Sequence, residues 1–201
     1  MLLSLLAAAV TVLGFSSDGA KVALVEHGLS EGSGHAYAVL HVLDVRKSAE
    51  AGKPVEVNAE DDDEDAAVKK ASANAGDFVK AVEVAREESG RMNDAQGAPI
   101  GTLELKTKSA GPKERAKCEE PFQPLLVKLT VMWLDDDKPA RIADEKKPPS
   151  SRPCASECAV DKIFAHGKAA LVIVKCTGQG FEGPAAKYSY YTAQLAYPLS
   201  E

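Results

Sequence analysis

The sequence is poor in aromatic side chains and has no basic excess, no long apolar run and no repeated propeller signature. Aromatics make up 5% of a chain that is 45% hydrophobic, so any core must be built mainly from Val, Ala and Leu. Against 24 Lys+Arg stand 30 Asp+Glu, for a net charge of −6. A nucleic-acid partner is therefore excluded as a working reading, because phosphate contacts need clustered cations. Spanning a bilayer takes about 20 apolar residues. The apolar start, Met1 to Val10, is half that length, so the chain does not read as an integral membrane protein. What remains is a globular chain of 201 residues, long enough for a real core and short enough for one domain.

The charge is concentrated. Glu60, Asp61, Asp62, Asp63, Glu64 and Asp65 form one run of acids, and the other 195 residues balance at 24 bases and 24 acids. Asp61, Asp63 and Asp65 fit the first ligand positions of an EF-hand loop, but Ala66 replaces its glycine and Ser72 its final Glu, which excludes that motif. The run reads instead as acids at a helix N-terminus, where the dipole favours negative charge. Residues 1–10 resemble the apolar part of a secretory signal without its charged start, and are read as a signal-peptide remnant; the alternative is a first strand. Four cysteines, Cys118, Cys154, Cys158 and Cys176, allow three pairings. Folding the segment about the His166-Gly167-Lys168 turn sets Cys158 opposite Cys176 and leaves Cys118 for Cys154. The competing readings are free thiols or a zinc site at Cys154 and Cys158, and the even count with an apolar leader favours an oxidising compartment.

Residues 11–201 read as a single β-rich domain of α+β type, mainly antiparallel sheet. Thr11 to Phe15, a turn at Asp18-Gly19 and Lys21 to Glu26 form a hairpin, followed by a glycine-rich loop from Gly28 to Gly34 and a Tyr37-bearing strand. A blurred copy runs from Phe164 through Gly167 and Val174 to a glycine loop at Gly178 to Gly183 and a strand with Tyr188, Tyr190 and Tyr191. Two hairpin-loop-strand units thus close one domain. Between them lies a helical insertion at about 60–90, with Phe78, Val79, Val82 and Ala85 on one face, then a loop from Ser89 to Gly101 and strands at Leu103 to Thr107, Leu125 to Leu134 and Ala140 to Ala143.

The chemistry-bearing residues are few. Gly28-Leu-Ser-Glu-Gly32 matches a nucleophile elbow literally, but Gly32-Ser-Gly34 follows where a helix should start, so no catalytic residue is assigned. His27, His35 and His41, with Glu26 and Glu31, could form a metal site near one loop, and Glu26, His27 and His35 are the set a catalytic metal would use. That gives the alternative of a metal-dependent hydrolase, although no metal ligand set and no cofactor is assigned. The preferred surface combines both glycine loops: Glu26, His27, Glu31, Ser33, His35, Tyr37, Phe181 and Glu182.

Leu13-Gly-Phe-Ser-Ser-Asp-Gly19, Glu26-His-Gly-Leu-Ser-Glu-Gly-Ser-Gly34 with Tyr37, and Gly180-Phe-Glu-Gly-Pro184 together resemble the bacterial "predicted secreted protein" family, domain of unknown function 2259. The resemblance runs from about Leu13 to Leu195, and Cys118 and Ser151-Arg-Pro-Cys154 also sit where that family tends to carry cysteines. It implies export and no known activity. The expectation is therefore a periplasmic or secreted, non-enzymatic module that binds an envelope protein or a small ligand.

Overall fold

Period-two alternation governs most of the chain, and the structure is mainly antiparallel sheet. The computed structural model describes residues 8–30, 33–59, 62–87, 89–93, 97–115, 117–134, 139–149, 152–179 and 184–195. In chain order the first part comprises β1 (Ala9–Phe15), β2 (Lys21–Leu29), β3 (Ala36–Asp44), β4 (Ala49–Glu50), β5 (Val55–Asn58) and α1 (Glu64–Ser72). The middle holds β6 (Val82–Glu83), β7 (Ala85–Arg86), β8 (Arg91–Asn93), β9 (Pro99–Ser109), α2 (Pro112–Arg115), β10 (Leu125–Trp133) and β11 (Ala140–Asp144). The last part is a meander of β12 (Ala155–His166), β13 (Ala169–Gln179) and β14 (Pro184–Gln194).

These strands form three sheets. The first runs β1-β2-β3-β4 with β5 also on β3, the central one β14-β13-β12-β6, and the third β11-β10-β9-β8-β7. Alternation along β13 sets the stacking. Leu171 and Ile173 join Phe15, Val22 and Leu24 of the first sheet in one apolar cluster. Val172 and Val174, on the opposite face, join Val127, Leu129 and Val131 of the third sheet. Covered on both faces, β13 is buried without a break from Ala169 to Val174, which is why its sequence is a continuous apolar run. The outer face of the first sheet is closed by α1, whose Ala67 and Ala71 pack against Ala23, Val25, Ala38 and Leu40. Small residues on both sides let the helix lie close to the sheet.

The two hairpin-loop-strand units are related in detail. In the first, Phe15 pairs with Val22 and Val22 with Leu43; in the second, Phe164 pairs with Leu171 and Leu171 with Thr192, each 149 positions later. The β1–β2 ladder carries a register shift between Val12 and Gly14, and the β12–β13 ladder has one between Val160 and Lys162 and a second between Ala155 and Glu157. The units pack face to face through equivalent side chains: Phe15 and Phe164, Val22 and Leu171, Leu24 and Ile173 share one cluster. At one end, the Phe15 ring stacks on His166, and Gly19 lies close to Ala169, so the two tight turns lie together.

Two expectations need correction. The helix covers only Glu64–Ser72, not 60–90: Asp63 caps it by accepting from the Ala66 N–H at 2.9 Å, with Glu64 and Asp65 in the first turn. Tertiary pairing overrides helix propensity beyond it. Val79 exchanges backbone hydrogen bonds with Phe15, and β6 adds to β12, leaving Val79 and Val82 exposed instead of on a shared apolar face. Ser89 to Gly101 is not all loop, since it contains β8 and the start of β9. Ala9 and Val10, at the end of the stretch expected as a signal-peptide remnant, belong to β1, paired with His27 and Glu26. Residues 1–7 lie outside the described residues.

Candidate functional site

Glu26 and His27 are neighbours on β2, and strand geometry sends neighbours to opposite faces. Glu26 faces the central sheet, where its Oε2 accepts from the Tyr190 hydroxyl at 2.6 Å. His27 faces α1, with Nδ1 3.1 Å from Glu64 Oε2 and Nε2 3.1 Å from Thr11 Oγ1. His35 is exposed where the β2–β3 ladder closes at Ser30, and Ser33 Oγ accepts from its backbone N–H at 3.3 Å. Glu26, His27 and His35 are therefore not brought together. Among the described residues, no group of three or more His, Cys, Asp or Glu could hold a metal ion. Glu31, Phe181 and Glu182 lie outside the described residues.

A polar network occupies the interface between the first and central sheets. His41 of β3 and Tyr190 of β14 hold equivalent positions in the two units, and their rings meet at 5.3 Å. His41 Nδ1 lies 2.7 Å from Glu50 Oε1, and Tyr188 donates its hydroxyl to the Ala8 carbonyl at 2.8 Å. Burial, and then the charge of the adjacent Glu26 carboxylate, pushes the Tyr190 phenol far above its ordinary value. Tyr188 is raised too, first by burial. These phenols are fixed hydrogen-bond donors that lock the sheets together. Since Tyr188 meets Ala8 beside Gly28, and the β13–β14 ladder ends at Gln179 and Pro184, the two longer connections start from the same end of the sandwich, opposite the tight turns.

The central and third sheets are joined at that end by a residue the sequence hid. Arg152 is fully buried. Its guanidinium donates to the Leu125 carbonyl at 2.7 Å, Glu145 Oε2 at 2.7 Å and Ser189 Oγ at 3.2 Å. Glu145 also accepts from the Val127 N–H at 2.7 Å and from the Tyr191 hydroxyl, whose pKa is raised by burial first and then by this carboxylate. Next to Arg152, Cys154 is bonded to Cys118, and Cys158 is bonded to its register partner Cys176. Both pairings are those expected from the turn at Gly167.

Beside the Cys118–Cys154 disulfide opens a cleft of about 690 Å³, lined by Lys117, Lys147, Lys187, Glu114 and Gln179 over walls of proline. Gln179 directly precedes the Gly180-Phe-Glu-Gly-Pro184 segment, and Pro153 and Cys154 come from Ser151-Arg-Pro-Cys154. Motif segments far apart in sequence thus converge on one end of the molecule. Sequence reading missed the three lysines because they lie on separate segments with no common spacing. A family model described as Predicted secreted protein, domain of unknown function 2259, matches residues 23–194. The chain belongs to this family. No curated protein and no solved structure matches the chain. The Predicted secreted protein description agrees with two disulfides and no free cysteine, a combination of oxidising compartments. Among the described residues no helix is long and apolar enough to cross a membrane.

Proposed function

We propose that this member of the Predicted secreted protein family works in the periplasm or after secretion as a non-enzymatic binding module. Its working surface is the end of the sandwich from which the β2–β3 and β13–β14 connections start. The observation that carries this reading is the convergence there of the family-like segments: Gly28 with Tyr37 on one side, Gln179, Pro184 and Cys154 on the other. On this reading Glu26 and Tyr37 support the surface from below, while Ser33 and His35 present it. The hydrolase alternative gains no support from the opposite directions of Glu26 and His27.

Two measurements test the proposal. Protein drawn from the cell envelope and unfolded without reductant should show no titratable thiol, and four would refute an oxidising compartment for the four cysteines. A panel of small molecules, sugars, amino acids and organic acids, should shift backbone amide signals at residues 28–37 and 177–187. A footprint confined to α1, or to the solvent face of the third sheet, would refute the assigned surface.

A further inference from the structure

We infer that the cleft beside the Cys118–Cys154 disulfide is a binding site for a small organic anion bearing two or more carboxylate or phosphoryl groups. The inference rests on the binding-module reading and adds to it the class of ligand and the residues that select it. Three ammonium groups, from Lys117, Lys147 and Lys187, line the cleft against one carboxylate, Glu114. Among the described residues none of the three has a carboxylate within ion-pair distance, whereas the neighbouring Lys146 is held by Asp144 at 2.9 Å. Like charges gathered in one cavity repel one another, and an anion with several charges relieves that repulsion while a neutral ligand does not. The volume of about 690 Å³ falls within the range of small-molecule sites. It far exceeds a bare inorganic ion, so the charges must sit on an organic body, for which the prolines offer apolar walls.

The site is also built in advance of its ligand. The wall carrying Lys147 and Pro149 is drawn in by the buried Arg152, whose own N–H bonds the Pro149 carbonyl at 3.0 Å. The segment carrying Lys117 is tied to the opposite wall through Cys118 and Cys154. Lys187 stands on β14 opposite Cys176, itself in a disulfide. Side-chain charges set on pinned backbone lose less on binding than charges on free loops.

The test is calorimetric titration of the oxidised full chain with citrate, a hexose bisphosphate and, as neutral control, maltose. Citrate or the bisphosphate is expected to bind at a single site, and which of them does so separates carboxylate from phosphoryl recognition. Affinity should fall with added salt, and by at least about tenfold in Lys147→Gln/Lys187→Gln. Lys69→Gln/Lys70→Gln, on the exposed face of α1, should leave it unchanged; thermal melts establish that each variant is folded. Equal losses in the two double variants would overturn the site, as would maltose binding as tightly as the anions. Failure of every anion, with maltose or another neutral probe still shifting amides at residues 28–37, would overturn the anion assignment and leave the binding-module reading standing. Failure of all probes at both places would overturn both.

Discussion

Removing the Arg152 guanidinium is the most informative single perturbation of this fold. In Arg152→Met a side chain of similar reach and no charge enters a site with no solvent exposure. Three acceptors lose their donor: the Leu125 carbonyl, Ser189 Oγ and Glu145 Oε2. Glu145 is the costly one, because its carboxylate is 12% exposed and keeps only the Val127 N–H and the Tyr191 hydroxyl. Breaking a buried pair from one side costs about 3–5 kcal/mol, mostly as the penalty on the stranded charge. For a chain of this size that corresponds to a melting temperature lower by roughly 10–15 °C. Glu145→Met should cost a similar amount, for it strands the guanidinium instead. The double variant should cost less than either single change, because it removes both charges and leaves an apolar contact. The assay is urea unfolding at neutral pH with both disulfides intact, followed through the fluorescence of the single Trp133, buried in the cluster between the same two sheets. A loss below about 1 kcal/mol in Arg152→Met, the level of an exposed ion pair, would refute the reasoning. So would a double variant costing the sum of the two singles.

Two further predictions probe the other layers. Gly14 has φ of +143°, and a Cβ there would lie 2.0 Å from the Val79 carbonyl oxygen, so Gly14→Ala should cost about 3 kcal/mol or more and abolish the Phe15–Val79 pairing. Gly34→Ala, with φ of +71° and open space around it, should cost only about 1 kcal/mol; equal losses in thermal melts would refute the close-approach argument. At high pH the buried phenols should limit stability. Tyr190 and Tyr191 have raised folded pKa values, so the unfolded chain releases their protons first. Stability from this source is intact below the unfolded value of about 10, and above it falls by about 2.7 kcal/mol per pH unit for the pair. Phenolate absorbance should show these two titrating only as the protein unfolds; all five tyrosines titrating together in folded protein would refute it.

The meander units were legible because turn chemistry and apolar pattern agree in them. Asp18-Gly19 and Gly167 mark the reversals, and the short apolar runs that follow them, Val22 to Val25 and Ala169 to Val174, mark strands buried on both faces. The Cys158–Cys176 bond shows both the reach and the limit of such reading. The turn pairs His166 with Ala169, and that register, continued unbroken, would set Cys158 against Thr177. A register shift between Val160 and Lys162 moves the partner by one residue and delivers Cys176. Symmetry about Gly167 thus points to the right pair without disclosing the bulge that makes it. The segment from Phe78 to Ala85 was misread because its partners, Phe15 and β12, are remote in sequence and supply the pairing that local propensity opposes. Arg152 was illegible as a buried residue for the same reason. Ser151-Arg-Pro-Cys154 reads as a polar loop until Glu145, Ser189 and Leu125 are known to surround it.

The matched register of the two units divides the molecule's labour. Their equivalent inner faces meet each other, so only the outer faces were free to differ. One is covered by α1 with its acidic cap; the other is covered by the third sheet, and the lysine-lined cleft opens beside it. Packed sheets lie about 10 Å apart, and helix, first sheet and central sheet therefore set the acidic cap on the order of 20 Å from the cleft. Screening at physiological ionic strength decays over about 8 Å. The four described acids of the cap, Asp62 to Asp65, thus act weakly on the cleft, where the local balance is positive. On the proposed reading an acidic chain can hold an anion here because Asp62, Asp63, Glu64 and Asp65 stand on the far side of two sheets. The same separation requires that neutralising Asp62, Asp63 and Asp65 change anion affinity by less than about twofold, while the cleft lysines change it by at least tenfold. A comparable effect of the acidic cap in the calorimetric assay would mean that the two charge centres are not electrostatically separate.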